Sequence, residues 1–100
     1  MAINQLKIVI SLLKEFSEGN LPTSEDYNIS QQHFYDIIDA MQDETLIKGA
    51  RFARDADNEV IAAFLENVKV TIRGFEYLNA NSLLVKTYKG LKEVREWLPF

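Results

Sequence analysis

Val70-Thr71-Ile72-Arg73-Gly74-Phe75-Glu76-Tyr77-Leu78 carries the chain from a strand into a helix in a single step. Val68, Val70 and Ile72 alternate as strand residues do. Thr71 is a favoured helix N-cap, because its hydroxyl can accept from an amide of the first turn. The spacing predicts a capped helix over about 73–80 with Phe75 and Leu78 inward. Upstream, Glu59 to Leu65 is rich in apolar and β-branched residues and reads as a strand. Leu46 to Ala53 reads as its partner, across a turn at Arg54-Asp55-Ala56-Asp57-Asn58, with Glu66-Asn67 as a bulge or short bend.

Three helices are expected before this strand pair. Ile3, Leu6, Ile10, Leu13 and Phe16 recur at steps of three or four and make one apolar stripe, which Gly19-Asn20 closes. Thr23-Ser24-Glu25-Asp26 reads as a cap with first-turn acids, opening a short helix of about 24–28. Ser30 caps a third helix whose buried face is Phe34, Ile37, Ile38 and Met41. After the fourth helix, Asn79-Ala80-Asn81 is a break and Ser82 caps a fifth helix of about 83–98, striped by Leu84, Tyr88, Leu91, Val94 and Leu98. Gly90 inside it implies close packing or a kink. Trp97-Leu98-Pro99-Phe100 is expected to fold back on helix one, with a homodimer contact through this C-terminal helix as the other use of its bulk.

The order helix, helix, helix, strand, strand is that of a winged helix, here an α+β fold with two additional C-terminal helices in one domain over residues 1–100. The 100 residues are 47% hydrophobic and 26% charged, as a globular domain requires. The longest apolar run, Val60 to Leu65, falls far short of the ~20 residues of a membrane span. The absence of cysteine excludes disulfides and thiolate chemistry and suits a cytoplasmic location.

Residues 1–47 hold two basic and eight acidic side chains, whereas residues 48–100 hold nine basic and seven acidic. The first half therefore repels phosphate and the second weakly attracts it.

The chain resembles the YjcQ family, small proteins of Gram-positive bacteria and their phages. The resemblance runs through Leu13-Lys14-Glu15, Glu18-Gly19-Asn20 and Leu46-Ile47-Lys48-Gly49. It continues through Thr71, Gly74, Tyr77 and Leu78, then Lys86, Tyr88-Lys89, Leu91-Lys92-Glu93 and Trp97. It implies a winged-helix fold of unassigned biochemistry, associated with prophage regions, and carries over no catalytic or binding residue.

Two functions compete. Helix three shows Asp36, Asp39 and Asp43 on its outer face with Gln32 beside them, Tyr35 and Gln42 on a flank, and no Lys or Arg. That face suits a protein partner, and the expected function is a non-catalytic protein-binding module of phage or prophage origin using Gln32, Tyr35, Asp36, Asp39 and Asp43. The alternative is a duplex-DNA-binding regulator. It would place Gln31, Gln32 and Tyr35 at base edges or phosphates and Lys48, Arg51 and Arg54 at the backbone. Three aspartates facing a polyanion argue against it.

The remaining motifs are weaker. Lys86, Lys89, Lys92 and Arg95 spiral around the last helix and are interrupted by Glu93 and Glu96. Asp55, Asp57, Glu59 and Glu66 mimic calcium-loop spacing, but Val60 stands where the loop needs glycine. His33 has no second ligand or nucleophile at a recognisable spacing. No enzyme activity, cofactor or metal is expected.

Overall fold

Helix α1, Ile3–Ser17, is the axle of the molecule. In the computed structural model, which describes residues 3–98, Ile8, Val9, Ile10, Leu12, Leu13 and Phe16 are all buried. A helix apolar around most of its circumference must be covered on most sides, and here the C-terminal segment covers the side opposite the expected stripe. The expected docking of Pro99 and Phe100 lies outside the described residues, as does the side chain of Ile3. α1 ends as Gly19-Asn20 predicts: Gly19 takes a φ of +82°, its amide donates to Phe16 O, and the Asn20 amide donates to Glu15 O.

A 3-10 turn over Ser24–Tyr27 follows, its Thr23 amide held by the Asp26 carboxylate at 2.8 Å. Helix α2, Gln31–Asp43, is capped by Ser30 Oγ, which accepts from the His33 amide at 3.0 Å. It buries Phe34, Ile37, Ile38 and Met41, the face the periodicity predicts.

The strands depart from expectation in continuity. The expected strand 46–53 is two pieces, β1 (Ile47–Lys48) and β2 (Arg51–Arg54), and its return is also two, β3 (Val60–Phe64) and β4 (Lys69–Val70). β1 pairs with β4 and β2 with β3, both antiparallel. The break falls where Gly49 turns with φ +89° against the Asn67 carbonyl. The next residue, Ala50, takes both backbone hydrogen bonds from the Gln42 carboxamide instead of a strand, each at 2.9 Å. The expected bend at Glu66-Asn67 is present, with the Val68 amide closing it on Leu65 O.

Helix α3, Ile72–Ala80, starts as its sequence dictates: Thr71 Oγ1 accepts from the Gly74 amide at 3.0 Å and donates to Thr45 O. Leu78 is inward, but Phe75 is 53% exposed, against expectation. Gly74 occupies the inward position instead, where a Cβ would strike the Leu46 carbonyl.

The expected fifth helix over 83–98 is also broken. It comprises α4 (Ser82–Thr87), a 3-10 turn (Leu91–Glu93) and α5 (Val94–Trp97). Three short helical pieces thus replace the expected long one. Gly90 has φ +115°, outside any helix, and its missing side chain faces open space, so backbone conformation rather than packing calls for glycine. Ser82 does not cap α4; Asn81 stands before it and its amide side chain closes α3 on Tyr77 O at 2.8 Å. The apolar residues still reach the core: Val94 and Leu98 are buried, and Leu84, Tyr88, Leu91 and Trp97 pack against it. The whole is a compact α+β fold of five α-helices with small antiparallel ladders among the described residues.

Candidate functional site

The outer face of α2 and the adjoining hairpin were expected to hold the site. On α2, Gln32, Asp36 and Asp43 are exposed, and Gln32 Nε2 donates to Asp36 Oδ1 at 3.0 Å across one turn. Asp39 is half-buried because Arg54 reaches over from β2, its Nη2 lying 3.3 Å from both carboxylate oxygens. Tyr35 sits on the hairpin flank and, with Gln31, borders a shallow cleft against Ala63 and Leu65. Gln42 is on the same flank and is committed to Ala50. His33 is exposed.

The hairpin arginines are exposed, and each is paired with an acid of the same chain. Arg54 stacks over Phe52, 5.6 Å to the ring centre, and also donates to Asn58 O. Arg51 pairs with Glu66 at 3.3 Å and lies over Phe64 at 5.5 Å. Such exposed pairs contribute at most about 1 kcal/mol each; their consequence is positional, since they hold the guanidiniums in place and offset their charge. Lys48 is exposed and registers opposite Lys69, which sequence reasoning did not single out. Asp55, the first residue of the calcium-like spacing, instead organises the hairpin turn: its Oδ1 accepts from the amides of Asp57 and Glu59, both at 2.9 Å.

Gln42 is the joint between α2 and the hairpin. Replacing it with alanine leaves the largely buried Ala50 amide and carbonyl without these partners, and each orphaned group costs about 1–3 kcal/mol. Gln42→Ala is therefore expected to lower unfolding free energy in urea by about 2 kcal/mol, allowing for partial rescue by water. An unchanged midpoint would show that the joint carries no weight.

A second constellation lies inside the fold and was not legible beforehand. Ser11 and Tyr27 are fully buried and Glu15 is 5% exposed. Ser11 Oγ donates to Tyr88 OH at 2.7 Å, and Tyr88 donates to Glu15 Oε2. A serine has one hydroxyl proton, so in the 2.8 Å contact with Tyr27 it is the tyrosine that donates. Asn20 Nδ2 fills the other carboxylate oxygen at 2.9 Å. The result is a one-way chain from Tyr27 through Ser11 and Tyr88 to Glu15. Burial pushes both phenols well above their ordinary range, and for Tyr88 the neighbouring carboxylate pushes further. The hint in the sequence was Ser11 and Glu15, one helical turn apart in an apolar helix. The chain ties the C-terminal segment to α1, a framework role that its burial favours over chemistry.

The family model described as YjcQ protein matches residues 6–97. The "Uncharacterized protein YjcQ" of Bacillus subtilis (strain 168) is 30% identical over 97 residues, covering 96% of this chain and 99% of that protein. No solved structure gives a significant match.

Proposed function

This chain belongs to the YjcQ family, and on that premise we propose that it is a non-catalytic protein-binding module on a winged-helix frame, contacting its partner through the outer face of α2. The frame is supported by the order of α1, 3-10 turn, α2 and hairpin, and by the Arg54–Asp39 pair that holds hairpin to helix. One observation carries the choice of partner. Both arginines that would meet phosphate are engaged with acids of the same chain, leaving Gln32, Asp36 and Asp43 on the open face with Asp39 and Tyr35 beside them. That surface complements a partner presenting lysine or arginine. A phage or prophage setting rests on the resemblance, and cytoplasmic action on the cysteine-free composition. No helix among the described residues is long and apolar enough to cross a membrane. A homodimer through the C-terminal segment is a separate reading: Leu84, Tyr88 and Leu91 pack in part against the core, while Leu83 of α4 is exposed.

Asp36→Lys combined with Asp43→Lys alters two exposed positions and is expected to leave the fold intact while abolishing capture of the partner by cross-linking in host extract. If every interaction of the wild type survives the reversal, the face is not the contact. The same preparation is titrated with labelled duplex DNA from low salt upward, and no binding is expected. Binding that weakens steeply with salt would instead favour duplex DNA as ligand. The Lys48–Lys69 pair gives that second reading its footing. It requires Lys48→Ala with Lys69→Ala to lower the salt slope by about 2, and Arg51→Ala with Arg54→Ala to weaken binding uniformly across sequences.

A further inference from the structure

On the flank of α2 away from the hairpin, a cleft of about 400 Å³ opens between α1, α2 and α3. Its floor is aliphatic: Val9 from α1, Ile37 and Met41 from α2, and Leu46 just beyond. Size and lining are those of small-molecule sites, which run roughly 300–1,000 Å³ and are mostly apolar with a few placed polar groups. The polar groups are at the rim. Arg73, in the first turn of α3, is exposed, and among the described residues no acid lies within ion-pair distance of it. Tyr77 stands one turn along the same bank, half-buried, where burial raises its phenol above the ordinary range. Glu44 and Ala40 form the opposite bank.

We propose that this cleft binds a small amphipathic carboxylate, its aliphatic body lying over Val9, Ile37, Met41 and Leu46 and its carboxylate meeting the Arg73 guanidinium. Charge and shape both select this class. A single guanidinium matches a single carboxylate in a bidentate pair. The α3 N-terminus beside it adds partial positive charge of the same sign. Glu44 confines the anion to the Arg73 bank and disfavours it elsewhere in the cleft. The site is independent of the outer α2 face, so failure of either leaves the other standing.

Octanoate is the test probe and octanol its uncharged counterpart, followed by amide chemical shifts of the isotope-labelled full chain. Saturable octanoate binding is expected, with shifts at Ala40, Glu44, Arg73 and Tyr77, and with octanol at least about tenfold weaker, as a charge-assisted hydrogen bond implies. Arg73→Gln weakens octanoate about tenfold. Glu44→Gln tightens it about two- to threefold by removing an exposed like charge. Ala40→Trp fills the mouth from an exposed helix position and abolishes binding. None of these substitutions touches the core, and the spectrum itself reports whether the variants remain folded. The proposal is overturned by no saturation at millimolar octanoate, by equal binding of octanol, or by shifts that persist in Ala40→Trp.

Discussion

Gly49→Ala is expected to lower the unfolding free energy by about 3 kcal/mol, from a left-handed backbone cost of about 1–2 and an overpacking cost of about 1–3. Gly49 sits at φ +89°, where a side chain clashes with its own backbone, and a Cβ there would interpenetrate the Asn67 carbonyl. The two contributions separate experimentally. Gly19 has a similar φ of +82° but nothing within 4 Å of its missing Cβ, so Gly19→Ala should cost about 1 kcal/mol, the backbone share alone. For a domain this size, each kcal/mol moves the melting temperature roughly 4–8 °C. Gly49→Ala should therefore melt well over 10 °C below wild type, while Gly19→Ala stays within several degrees. Equal losses would mean that the hairpin yields to the extra methyl without cost.

Alkali is expected to unfold the protein through its buried phenols. An unfolded tyrosine ionises near pH 10, whereas burial keeps Tyr27 neutral well above that. A group whose folded pKa is raised contributes its stability in full below the unfolded value and loses it as pH climbs beyond. Stability should thus be flat to about pH 10 and then fall by about 1.4 kcal/mol per pH unit on account of Tyr27. Tyr88 adds to the fall in the same direction, though its partial exposure lessens the share. Urea unfolding at a series of alkaline pH values, with tyrosinate absorbance followed in parallel, checks this. The tyrosinate of Tyr27 should appear together with unfolding, and Tyr27→Phe should flatten the slope. A full complement of tyrosinate in a still-folded protein would show that the phenols are reached by solvent without opening the core.

What was legible in the sequence was local. Thr71 caps α3 because its hydroxyl reaches an amide three residues on, and that geometry belongs to any Thr-x-x-Gly at a helix start. The buried face of α2 follows from spacing alone, and so does the acidic face opposite, where Gln32, Asp36 and Asp43 stand exposed. What was illegible came from partners distant in sequence. The first strand breaks because Gln42 takes over the backbone of Ala50. α1 is buried on more than its stripe, Ile8, Val9 and Leu12 included, and the C-terminal segment adds cover by reaching Lys7, Ser11 and Glu15 through Trp97 and Tyr88. Phe75 turns outward because Gly74, which carries no hydrophobicity to count, is what lets the helix lie against the Leu46 carbonyl. The C-terminal periodicity survives the break at Gly90, so the stripe is real although the single helix is not. The arginines of the hairpin were visible as charges, but their partners Asp39 and Glu66 were not, and the partners decide what the charges can do.

Trp97, the single tryptophan of the chain, gives the C-terminal clasp a built-in optical signal. Its ring meets Tyr88 edge-on at 5.0 Å, lies 5.1 Å from the Lys7 ammonium, and donates through its indole nitrogen to Thr87. Lys7 in turn donates to the Trp97 carbonyl at 2.7 Å. A cation over an indole and a neighbouring phenol both shape its emission, so a red shift would report departure of residues 88–98 from α1. Circular dichroism follows the helices as a whole, so the two signals read different events. Emission that shifts before helicity falls would mark undocking of the clasp as a discrete step, separable in time from collapse of the axle it encloses.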